Sequence, residues 1–120
     1  MAKRSVHRPE QVGESIRHLL ADALVRDLRD PRIGRVTITS ITVTPDLSRA
    51  RVMVVPGGDE EDGAKALEGL RSAAGFLRRK LAGSLATRTV PELVFDIDRG
   101  AEHAARIDSI LAAIRNGEEV

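Results

Sequence analysis

The sequence predicts an α+β domain, with helices packed on one face of a small three-stranded sheet in the order α-β-β-α(kink)α-β-α. Three observations carry this. Apolar residues recur at steps of three and four in three separate segments, the period of a helix face. Two β-branched runs, Val36–Thr44 and Ala50–Val55, flank the turn residues Pro45 and Asp46 and read as an antiparallel hairpin. A shorter alternating run, Leu93, Phe95 and Ile97, follows the second helical segment. With 120 residues there is room for one domain. We place it at residues 9–115, between a flexible basic tail (1–8) and a short C-terminal tail (116–120).

The first helix opens at Pro9, a favoured first helical residue. Val12, Ile16, Leu19, Leu20, Ala23, Leu24 and Leu28 give it one apolar stripe. It should end before Asp30-Pro31, because a residue preceding proline is pushed out of helical geometry. In the first strand Val36 and Ile38 are in phase while Ile41 and Val43 are not, which predicts a bulge near Ser40. Pro56-Gly57-Gly58 and an acidic loop then lead into the second helix, whose stripe is Leu67, Leu70, Ala74, Leu77 and Leu81. The third strand returns after this helical crossover, so it should run parallel to one hairpin strand. Ala104, Ile107, Ile110, Leu111 and Ile114 predict a last amphipathic helix that starts at His103 and stops at Asn116-Gly117.

Composition excludes several functions. There is no Cys, which removes thiol catalysis and thiolate metal sites. With no Trp, no Tyr and only two Phe, reading a single strand by stacked rings is nearly closed. A nucleic acid would therefore be met through phosphates and shape. No apolar run approaches the roughly 20 residues of a membrane span, and the basic start lacks an apolar stretch behind it. A soluble cytoplasmic protein without cofactor or metal is expected.

Charge is segregated although the net value is only +1. Residues 64–91 hold Lys65, Arg71, Arg78, Arg79, Lys80 and Arg88 against Glu68 alone, whereas residues 92–120 carry a net −4. Such asymmetry concerns partners rather than fold. On a helical wheel the apolar stripe of the second helix covers one side, and Arg71, Gly75, Arg78, Arg79 and Ala82 fall together on the other. A mid-helix glycine is unfavourable by roughly 0.5–1 kcal/mol relative to alanine. Phe76 lies off the apolar arc of a straight helix. A kink at Ala74-Gly75 would turn Phe76 inward and free backbone N–H groups for a phosphate. Two readings stay open: a phosphate site held by the arginines, or small residues that merely admit close packing.

Several segments resemble one family, bacterial ribosome-binding factor A. They are Val12–Leu24, Asp30-Pro31-Arg32, the hairpin from Ile41 to Val52, Ala73-Ala74-Gly75-Phe76-Leu77-Arg78, Val90–Phe95 and Ala105-Arg106-Ile107-Asp108. The resemblance implies a type II KH-like fold in which an Ala-x-Gly kink, here Ala73, Ala74 and Gly75, replaces the usual GxxG clamp. It implies a non-enzymatic assembly factor that binds free small ribosomal subunits or their precursors and assists rRNA maturation, notably in the cold. A GTPase would aid release, and the protein would act as a monomer. The residues expected to contact RNA are Arg71, Ala73, Ala74, Gly75, Arg78, Arg79, Lys80 and Arg88, with Lys3, Arg4 and Arg8 of the tail. Five or so neutralised phosphates predict a slope of log affinity on log salt of roughly −3.5 to −4.5.

Another class is a protein-interaction module that meets an acidic protein partner through its sheet or basic helix. Catalysis has little to stand on. His7, His18 and His103 have no partner spacing, no Gly-rich phosphate loop or paired-His site occurs, and Asp96 and Asp98 read as an ordinary solvent-facing alternation.

Overall fold

Pro9 opens the first helix because the N–H it lacks is one that a helix start leaves unpaired anyway. This helix, α1 (Pro9–Arg26), follows Arg8 in extended geometry and closes with the Asp27 N–H on the Ala23 carbonyl. The computed structural model describes residues 8–85 and 89–117. The remaining elements are β1 (Val36–Val43), β2 (Arg49–Pro56), α2 (Glu60–Ala82), β3 (Glu92–Ile97) and α3 (Arg99–Arg115).

The sheet has the order β1-β2-β3. β1 pairs antiparallel with β2 from Val36↔Pro56 to Val43↔Ala50, and the register shifts between Ile38 and Ser40. That is the expected bulge: one extra residue re-phases the strand, so that Val43 reaches the core. β3 lies parallel to β2, from Arg49↔Glu92 to Val54↔Ile97, which is possible because α2 supplies the crossover. At the hairpin, Asp46 accepts from the Thr44 hydroxyl (2.8 Å) and from the Ser48 hydroxyl and N–H (2.7 and 3.1 Å). These donors, Ser48 first, hold its carboxyl down at about 2.

One face of the sheet packs on α1 and α2. Ile16 and Leu20 of α1, Ala50, Val52 and Val54 of β2, and Leu70 and Leu77 of α2 have no accessible surface, and Phe95 retains 1%. Each fully buried Leu, Ile or Phe side chain contributes roughly 1.5–3 kcal/mol. Gly69 sits where α2 meets the α1–β1 loop. A Cβ there would stand 2.8 Å from Cγ1 of Ile33, so only glycine admits this approach.

Three expectations need correction. α2 runs uninterrupted through Ala74-Gly75, so the expected break into two helices is absent. Packing explains this: Leu70, Leu77 and Leu81 are buried along one unbroken stripe, and a bend at Gly75 would lift one end off the sheet. The last helix begins at Arg99 rather than His103, because Asp98 caps it by accepting the Ala101 N–H at 3.0 Å. Asp98 also accepts from the Thr39 hydroxyl at 2.6 Å, and these two bonds hold its carboxyl below the ordinary range. It is thus no idle surface residue. Finally, α3 is not packed on the sheet face: none of its residues is buried.

Candidate nucleic-acid interface

The basic face of α2 follows from how its two ends are built. Asp59 accepts the Asp62 N–H while the Asp62 carboxylate accepts the Asp59 N–H, a reciprocal capping box. Glu60, Glu61 and Asp62 fill the first turn, and Arg79 and Lys80 stand in the last, each sign matched to the helix dipole. Glu68, held by Arg32 at 3.6 Å, ends the acidic portion. Beyond it the outer face carries Arg71, Ser72, Gly75, Phe76, Arg78, Arg79 and Lys80, all exposed.

These cations are not equivalent. Arg71 reaches the edge of the sheet, where its Nε and Nη2 donate to the Phe95 carbonyl at 3.3 and 3.2 Å and Nη2 also meets Asp96 at 3.1 Å. The other oxygen of Asp96 takes Nε of Arg51 at 3.1 Å, so one carboxylate serves two guanidiniums. Asp96 is therefore a tie between helix and sheet rather than solvent-facing alternation. Arg78 donates through Nε and Nη2 to the Val90 carbonyl at 3.0 and 2.8 Å. A carbonyl orients the guanidinium but leaves its charge uncompensated. Arg79 has no hydrogen-bond or ion-pair partner among the described residues. Lys80 lies 3.6 Å from Asp27, the residue that closes α1.

Gly75 stands open. A Cβ there would meet only Nη1 of Arg79, at 3.7 Å. Of the expected Ala73-Ala74-Gly75 apex, only Gly75 lies on the outer face, since Ala73 and Ala74 are half-buried against the core. Because the helix is unbroken, its mid-helix N–H groups are spent on the helical ladder, and no new N-terminal dipole points outward. The helix end that is near, Gly83, is C-terminal and carries the wrong sign for an anion. Any attraction for phosphate here therefore comes from the side chains.

Phe76, expected to turn inward, is 37% exposed. Sequence reasoning saw it off the apolar arc and expected a kink to turn it inward, whereas the unbroken helix leaves it exposed. Arg8 precedes the N-terminal end of α1 and makes no side-chain cap there, whereas it is Asp27, at the opposite end, that meets Lys80 of α2. Lys3, Arg4 and Arg88 lie outside the described residues. His18 is exposed and paired with Glu14 at 3.0 Å. No described helix is long and apolar enough to cross a membrane.

Comparison with known proteins identifies one family. The family described as Ribosome-binding factor A matches residues 8–111. The chain is 41% identical over 115 residues to the Ribosome-binding factor A of Rhodopirellula baltica, covering 96% of this chain and 84% of that protein. It is similar in fold to the crystal structure of ribosome-binding factor A from Thermus thermophilus, with a TM-score of 0.67 and 27% identity over 76% of this chain and 96% of that one. A homology model of the Thermus thermophilus protein, fitted into the cryo-EM map of a 30S–RbfA complex, is similar with a TM-score of 0.62 and 28% identity, over 76% of this chain and 96% of that one.

Proposed function

This chain belongs to the ribosome-binding factor A family, and from that premise we propose that it docks on free small ribosomal subunits or their precursors through the basic outer face of α2 and assists maturation of their rRNA. The observation that carries this is a pair of uncompensated guanidiniums, Arg78 and Arg79, beside the bare backbone of Gly75. Phosphate contacts from arginine position a protein on RNA without reading its sequence. Arg71 and Lys80 add charge where RNA phosphates displace Asp96 and Asp27 from them. A monomeric, non-enzymatic binding factor of the cytoplasm fits this reading. The absence of a GxxG clamp directs it to folded rRNA in its ribosomal setting rather than to loose oligonucleotides.

Co-sedimentation with purified small subunits tests the face. Arg78→Glu combined with Arg79→Glu should abolish binding and leave the domain folded, because neither side chain is part of the core. The urea midpoint should be lowered only modestly, by loss of the Arg78–Val90 bonds and of positive charge in the last helical turn. A folded double variant that pellets with subunits at wild-type levels would refute the interface. The protein-interaction reading is favoured by the exposed α3 stripe, and it gains if binding survives RNase digestion with no rRNA recovered.

A further inference from the structure

We infer that Phe76 is a stacking platform for one unpaired nucleobase of the RNA met by α2, an inference that rests on the rRNA reading above. The chain has two aromatic rings of the Phe/Tyr/Trp type, and the fold spends only one on its core: Phe95 is 1% exposed and Phe76 37%. The unbroken helix leaves Phe76 off the buried stripe, which Leu77 and Leu81 already fill.

The neighbours of the ring leave it accessible. Helical side chains lean back over the preceding turn, which for Phe76 means Ser72 and Ala73, both small. Gly75 has no side chain at all. Arg79 and Lys80 stand three and four residues on, where helix geometry brings them alongside the ring. One exposed ring with cations flanking it is the arrangement by which proteins hold an unstacked base, the ring taking the base face and the cations the phosphates.

Charge fixes which part of the nucleotide goes where. The groove between α1 and α2 is lined by Asp22 and Asp27 as well as Arg26, Arg79 and Lys80. On the α1 side the charges are already matched, Arg26 to Asp22 at 3.1 Å and Lys80 to Asp27 at 3.6 Å, whereas Arg78 and Arg79 have no carboxylate partner among the described residues and are left to attract a phosphate. The RNA backbone therefore runs along the arginines, and a base can turn toward Phe76. A lone ring grips a lone base, so the remainder of the contact stays electrostatic, in keeping with so few aromatic residues.

The ionic-strength dependence of binding separates this contact from the phosphate contacts. Affinity of full-length protein for purified small subunits is measured at several salt concentrations for the wild type, Phe76→Leu and Phe76→Trp, with urea unfolding as the check on folding. Leu keeps the apolar bulk and removes the ring. Phe76→Leu should bind about 5- to 100-fold more weakly at every salt concentration with the wild-type slope, because stacking releases no counterions. Phe76→Trp should bind like the wild type, and its indole, the only one in the chain, should be quenched when subunits are added. Binding of Phe76→Leu within twofold of the wild type, or tight binding of Phe76→Trp with unchanged emission, would overturn the inference. If instead the Arg78→Glu, Arg79→Glu variant binds normally, the reading of the whole face fails, whatever Phe76 does.

Discussion

α2 and α3 look alike on paper and behave differently in the fold. Both show apolar residues at steps of three and four, and both begin with an aspartate cap. α2 buries its stripe, with Leu70 and Leu77 at 0% and Leu81 at 2% exposure. α3 leaves Ile107, Leu111 and Ile114 at 43, 47 and 57%. The cause is connectivity. α2 joins β2 to a parallel neighbour, and such a crossover must lie over the sheet. α3 follows β3, and among the described residues no strand comes after it to draw it back. Apolar periodicity reports that a helix has two sides, but what the apolar side meets is decided by the elements before and after it.

That contrast gives its largest expected effect in paired truncations. Leu77→Ala should destabilise the domain by about 2–5 kcal/mol, since it opens a cavity in the core. Leu111→Ala should change stability by less than about 0.5 kcal/mol, as exposed substitutions do. Urea unfolding of the two variants measures both. Comparable losses would mean that α3 is packed against the domain in solution.

A smaller effect sharpens the comparison within α2 itself, where two glycines should respond with opposite sign. Gly69→Ala forces a Cβ to 2.8 Å from Ile33, a core residue with little freedom to yield, and should destabilise by about 1–3 kcal/mol. Gly75→Ala meets nothing closer than Arg79 and should stabilise by about 0.5–1 kcal/mol through helix propensity. The urea midpoint should fall for the first and rise for the second. A fall for Gly75→Ala would indicate that the helix bends there in solution after all.

Much of the fold was legible because the signals were local. The β-branched hairpin, the Pro45-Asp46 turn, the bulge announced by the phase slip at Ser40, and Pro9 at a helix start each depend on a few adjacent residues. The parallel β3 followed from chain connectivity. What failed depended on contacts distant in sequence. The continuity of α2 through Gly75 follows from the stripe it buries against the sheet, which no residue near Gly75 announces. Asp96 joins Arg71 to Arg51 across separations of 25 and 45 residues. Of the candidate site, the basic face and open Gly75 were readable from the helical wheel. The sequence did not reveal that Arg71 and Lys80 already have carboxylate partners, or that Phe76 faces outward.

This redistribution of charge alters the most direct test of electrostatic docking. Two guanidiniums without a carboxylate partner among the described residues, joined by Arg71 and Lys80 where they exchange carboxylate for phosphate, correspond to two to four phosphates neutralised by the α2 face. Log affinity for purified small subunits, plotted against log salt concentration, should therefore fall with a slope between about −1.4 and −3.6. A flat plot, with subunits bound equally well from low to high salt, would contradict docking through these arginines.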